Sequence, residues 1–154
     1  GRGHVYSIEH LPDFADKTRQ ELARHGLAAY ATVLTAPLVR HDIKNEVWLW
    51  YTVPTLLPDE IDLLVIDGPP ATTGHLVRYP AGPLLFKHLS PYATVFLDDA
   101  FRSDEQEIVD RWVLEFPEYH RQVKETQRGC AILRKETQEE VLRRCNSLSI
   151  ADVA

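Results

Sequence analysis

A chain of 154 residues, 44% hydrophobic and 26% charged, is long enough for one domain with a substantial core and too short for two comfortable ones. Its formal net charge of -6 argues against sequence-independent nucleic-acid binding, which needs a basic face to displace counterions from phosphates. No segment has the apolar length to span a bilayer and the start is not a signal peptide, so no membrane association is expected.

There is no methionine, and the chain opens on Gly1-Arg2-Gly3 directly before the strand-like "HVYSIEH", which reads as a trimmed piece rather than a protein that shed its initiator methionine. Val5, Tyr6 and Ile8 carry that first strand, and Glu9 ends it. "LPDFADKTRQELARHGL" follows as a helix, with Phe14, Leu22 and Leu27 at roughly helical spacing and Gly26 as its stop. "AYATVLTAPLV" is rich in β-formers, and Pro37 ends or bends it. From 40 to 60 the pattern is ambiguous: "VWLWY" fits a short helix or a strand, and "LLPDEID" is a connector.

The apolar run of "IDLLVID" reads as a strand buried on both faces, with Asp67 at its carboxyl end. "PAGPLLFKHLS" is a short helix, "ATVFLDDA" a second buried strand ending in acids, and "DEQEIVDRWVLEFP" a helix whose acidic first turn suits its dipole. This alternation predicts a parallel sheet. "YHRQVKETQ" and "RGCAILRKE" break it: they meet around Arg128-Gly129 with no room for a helix, which predicts an antiparallel hairpin near 119 to 136. The last stretch, "TQEEVLRRCNSLSIADVA", begins as a short helix and then frays. Cys130 and Cys145, far apart and without paired metal-ligand spacing, fit a reduced cytoplasmic protein.

Several residues at strand ends could carry chemistry. In doubly wound sheets the carboxyl ends of the strands form the ligand crevice, so Glu9 could accept hydrogen bonds from both hydroxyls of a ribose, or could serve as a helix-capping or solvated acid. Asp67, Asp98 and Asp99 end two separate buried strands and could converge, their repulsion resolved by Mg²⁺ or Mn²⁺; equally, Asp98 or Asp99 could cap the following helix while Asp67 binds amides of the Gly-Pro-Pro turn. His75, in a stiff loop with Gly68, Pro69, Pro70 and Gly74, could take a proton from a substrate hydroxyl or sit in solvent. Arg78 and Tyr79 follow in that loop, and Arg102 could pair with the acids or a substrate group.

Together "VYSIEH", "HGL", "TAPL", "IDLLVIDGPP", "RYP" ahead of "PLL", and "VFLDDAFRSDEQEIVDRW" resemble the C-terminal two-thirds of a class I S-adenosylmethionine-dependent methyltransferase, in particular bacterial O-methyltransferase-like members with an Asp-Gly-Pro-Pro motif. The likeness runs to about Glu136. It implies an α/β, Rossmann-like domain over 1–136 with a mostly parallel sheet, helices on both faces, a C-terminal antiparallel hairpin and its first strand missing, followed by a C-terminal tail over 137–154.

The resemblance also supplies roles. Glu9 matches the acid that holds the ribose of S-adenosyl-L-methionine, and Thr35, Ala36, Pro37 and Leu38 match the segment beside its adenine. Asp67 matches the position where the sulfonium and the acceptor meet, with a part in both cofactor binding and catalysis. In metal-dependent relatives, positions matching Asp67, Asp98 and Asp99 hold Mg²⁺, which lowers the pKa of the acceptor hydroxyl. The implied acceptor is a small molecule, with sugar hydroxyls, phenols and small acids all open.

Family members carry a strand and a glycine-rich turn before the strand that ends at Glu9, and Gly1-Arg2-Gly3 cannot be that turn. Cofactor affinity of these 154 residues alone is therefore expected to be very weak. The strands ending in Glu9 and Asp67 would pair directly or take up a strand from another chain, the latter giving a homo-oligomer. Two other classes compete with a methyltransferase: a non-catalytic binding or scaffold module that keeps the fold without the cofactor loop, and a metal-dependent hydrolase, which lacks a clear nucleophile motif and leaves Glu9 without a role.

Overall fold

The structure, a computed structural model, describes residues 3–135, so the tail expected over 137–154 lies outside the described residues. In chain order the elements are β1 (Val5–Glu9), α1 (Pro12–Arg24), β2 (Ala31–Thr35), β3 (Leu38–Ile43), β4 (Glu46–Tyr51), β5 (Ile61–Ile66), α2 (Ala81–Leu85), β6 (Leu89–Asp98), α3 (Ser103–Glu115), β7 (Tyr119–Lys124) and β8 (Cys130–Lys135). Short 3-10 turns lie at Ala71–Thr73 and Phe86–His88. The expected α/β class forms, with β1–β2 and β5–β6 parallel and β3–β4, β6–β8 and β7–β8 antiparallel. Two compact units result, one built from the chain up to Pro58 together with Gly68–Leu84, the other from Asp59–Asp67 and the chain from Leu85 onward. No helix among the described residues is long and apolar enough to cross a membrane.

In the first unit β1 and β2 run in register from Val5 opposite Ala31 to Glu9 opposite Thr35, connected through α1. Pro12 occupies the start of α1, where its missing N–H costs nothing. The helix ends as Gly26 predicts: at φ 68° the Gly26 N–H reaches the Ala23 carbonyl at 3.1 Å and the Leu27 N–H the Leu22 carbonyl at 2.7 Å, a Schellman stop. The apolar face of α1 differs from the expectation. Phe14 and Leu27 are exposed, and Ala15 is the buried residue. A polar side chain ties α1 to β2: Arg19 donates to the Val33 carbonyl at 2.8 Å and to Thr35 Oγ1 at 2.9 Å. The ambiguous stretch resolves into the β3–β4 hairpin, turning on Lys44 and Asn45, both at left-handed φ (55° and 65°) as a two-residue hairpin loop requires. Trp50 and Tyr51 at its end are buried, edge to face at 5.2 Å.

In the second unit the strand order is β5-β6-β8-β7. The hairpin expected near 119 to 136 is β7–β8, and no helix interrupts Arg121 to Arg134. Among the described residues β1 bonds only to β2, and β5 only to β6. Ala131, Ile132 and Leu133 are buried consecutively, as befits a strand covered on both sides by paired neighbours. Helix α3 buries Glu105, Ile108, Val109 and Trp112, the i, i+3, i+4, i+7 stripe of an amphipathic helix. Trp112 meets Phe86 at 5.3 Å, and Phe86 also meets Phe116 at 5.0 Å and Tyr119 at 4.9 Å.

Tyr119 is 1% exposed, and its hydroxyl finds no hydrogen-bond partner among the described residues. Burial, reinforced by the Glu118 carboxylate, pushes its pKa up to about 12. Removing a buried unpaired hydroxyl costs little, so Tyr119→Phe is expected to leave stability at pH 7 unchanged or up to about 1 kcal/mol higher. The sign with pH follows from linkage. The folded pKa lies above the unfolded value of 10.0, so the wild type keeps its full contribution below pH 10 and loses it as pH rises toward 12. Urea midpoints at pH 7 and pH 11 check this: the phenylalanine variant should lose less between the two than the wild type.

Candidate functional site

The carboxyl ends of β1 and β2 bring together the expected cofactor residues of the first unit. Glu9 and Thr35 are register partners, and the Ala36 N–H donates to the Glu9 carbonyl at 2.8 Å. Glu9 Oε1 accepts the Leu11 N–H at 2.8 Å, which orients the carboxylate, and lies 2.9 Å from His10 Nδ1. Oε2 has no hydrogen-bond partner among the described residues. Thr35 lends its hydroxyl oxygen to Arg19, Ala36 is buried, and the Pro37 carbonyl accepts both the N–H and the hydroxyl of Thr52, at 2.9 and 2.8 Å. Leu38 opens β3. The segment from Thr35 to Leu38 is thus anchored on both sides, a firm wall beside a carboxylate with one oxygen to spare.

The second unit gathers the acids. Asp67, Asp98 and Asp99 each place a carboxylate oxygen within 4.8 Å of the others, because β5 and β6 are parallel neighbours whose carboxyl ends lie side by side. Asp67 is exposed, Asp98 half-buried and Asp99 buried, the last at a left-handed φ of 59°. Asp99 Oδ2 lies 2.8 Å from Arg102 and Oδ1 3.5 Å from Arg128; Arg102 also reaches buried Glu105 at 3.8 Å. Arg102 and Arg128 thus sit beside the most buried of these acids. Three oxygen ligands suit a hard cation, and Mg²⁺ with ligands at about 2.1 Å would need them roughly 3–4 Å apart, a small side-chain adjustment from the present spacing. The Cys130 thiol, opposite Asp98 in register, has its pKa raised by burial and by that carboxylate.

Gly68, after Asp67, has a steric reason: a Cβ there would collide with the Tyr51 hydroxyl. Gly129 has two, since its φ is 76° and a Cβ would lie 2.7 Å from a ring carbon of Phe101. The amides of Ala100 and Phe101 then bond the carbonyls of Gly129 and Arg128, both at 3.1 Å, which fixes the turn that carries Arg128 beside Asp99. His75 is exposed on the loop of the first unit, where it lines a cavity with Glu46 and Trp48. Arg78 and Tyr79 are buried. The Glu9 group and the acidic group belong to different units. Sequence reasoning missed Arg128, buried Glu105 and cavity-lining Glu46. For Arg128 a signal existed in its place at the hairpin turn, but only the register identifies its partner.

No family model and no curated protein sequence matches this chain. Solved structures do share its fold. An O-methyltransferase from Bacillus cereus in complex with SAH aligns with a TM-score of 0.63 and 14% identity over 88% of this chain and 64% of its own. A methyltransferase from Geobacter sulfurreducens aligns at 0.61 with 12% identity, over 87% and 59%. An SAH-bound methyltransferase from Podospora anserina aligns at 0.58 with 14% identity, over 87% and 61%. The chain thus spans less than two thirds of the length of these structures. Its fold is the Rossmann-like α/β fold of methyltransferases.

Proposed function

We propose that this chain is part of an S-adenosylmethionine-dependent methyltransferase acting on a hydroxyl of a small molecule in the cytoplasm. The observation that carries the proposal is Glu9: on a methyltransferase fold, it stands at the carboxyl end of β1 with Oε1 fixed by Leu11 and Oε2 uncommitted. A carboxylate held this way accepts hydrogen bonds from ribose hydroxyls, while Thr35, Ala36, Pro37 and Leu38 border the adenine. Asp67, Asp98 and Asp99 would hold Mg²⁺, whose contribution when bound is to lower the pKa of the acceptor hydroxyl and orient it for in-line attack. Arg102 and Arg128 keep Asp99 in place, and Asp67 adds a further role at the cofactor and in catalysis. His75 is the base that takes the hydroxyl proton. Binding of SAH to the protein as its gene encodes it, compared with a Glu9→Gln variant, is the test.

A further inference from the structure

We infer that Arg128 is a built-in competitor for the divalent cation of the acidic group: it pairs with Asp99 when no cation is bound and is displaced when one arrives, which lowers the affinity of the site for Mg²⁺. The inference rests on the metal reading of Asp67, Asp98 and Asp99 given above. Two arginines meet the buried Asp99 carboxylate, and they do so differently. Arg102 comes from the same turn, three residues on: its N–H bonds the Asp99 carbonyl at 2.9 Å, its guanidinium lies 2.8 Å from Asp99 Oδ2, and it also reaches Glu105. It is a positioning residue. Arg128 comes from the β7–β8 turn, lies 3.5 Å from Asp99 Oδ1 and keeps a side chain that is 69% exposed. A guanidinium so well solvated gains little from so long an ion pair, and it leaves at small cost.

The backbone behind Arg128 is pinned. Gly129 holds φ 76° with the Phe101 ring where a Cβ would stand, and the Phe101 N–H bonds the Arg128 carbonyl at 3.1 Å. The guanidinium therefore swings on a fixed stem beside Asp99. A cation held by an Asp99 oxygen would lie only a few ångströms from a guanidinium in that position, inside the screening length of about 10 Å at 0.1 M salt, so the two positive charges repel. That repulsion acts whatever other partners the three aspartates have.

The experiment titrates Mn²⁺, as a probe for Mg²⁺, into the wild type, Arg128→Gln and Arg128→Lys at low and at high salt, followed by calorimetry and by the paramagnetic resonance of free Mn²⁺. At low salt Arg128→Gln is expected to bind Mn²⁺ about 3- to 10-fold more tightly than the wild type, the size of one charge repulsion over that distance. The gain should shrink at high salt, and Arg128→Lys, which keeps the charge, should stay within about twofold of the wild type. Neither variant should move the urea midpoint, because the side chain is largely exposed. The inference is overturned if Arg128→Gln binds equally or more weakly, which would make Arg128 a second positioning residue, if its gain is the same at both salt levels, or if Arg128→Lys matches Arg128→Gln. Saturable binding by the wild type without a gain in Arg128→Gln removes only this inference. No saturable binding by any of the three proteins removes the metal reading and the inference with it.

Discussion

Trp112→Ala is expected to remove about 3–5 kcal/mol of stability, the usual cost of emptying a fully buried indole site. Trp112 is 0% exposed and closes the stripe of buried residues on α3 at its C-terminal end. With the indole gone, the Phe86 ring loses a partner at 5.3 Å while still held by Phe116 and Tyr119, so the cavity cannot collapse freely. Small domains have only about 5–15 kcal/mol in total, so the variant would be partly unfolded at physiological temperature. Leu114 is the control. It lies on the same helix but is 82% exposed, and Leu114→Ala should change the urea midpoint by less than the equivalent of about 0.5 kcal/mol. A Trp112→Ala loss below about 1 kcal/mol would mean that α3 does not anchor the core.

The second large effect is chemical. Asp67→Asn should weaken Mg²⁺ binding at least 10- to 100-fold, roughly the loss seen when a site's supporting groups are removed, and should abolish metal stimulation of methyl transfer. Asp67 is the residue to change because it is the exposed member of the three. Asp99 would confound the test. It is buried and ion-paired with Arg102 at 2.8 Å, so its amide variant would perturb the β6–α3 turn as well as any metal. Unchanged activity of the wild type after exhaustive chelation would show that the acids serve structure alone.

The features legible in the sequence were those with a local cause. Gly26 stops α1 because a left-handed residue is needed there, and Gly129 turns β7 into β8 for the same reason. The acids at the ends of β5 and β6 could be placed together because parallel neighbours align their carboxyl ends. The β3–β4 hairpin was not legible, because its turn uses Lys44 and Asn45, and lysine is not a residue that advertises a left-handed conformation. Helical spacing of Phe14, Leu22 and Leu27 did not reveal that Ala15 is the buried residue of α1 or that Arg19 bonds to β2. Glu105 reads as a favourable helix-start acid, yet it lies on the buried stripe, where Arg102 supplies its counter-charge.

The most direct measurement of the central claim is calorimetric titration of SAH into the protein as its gene encodes it, alongside Glu9→Gln. The account predicts saturable binding by the wild type and a roughly 10- to 100-fold weaker affinity for the variant, the worth of hydrogen bonds from ribose hydroxyls to a charged acceptor. No saturable binding by the wild type, or equal affinity for the two proteins, would contradict it.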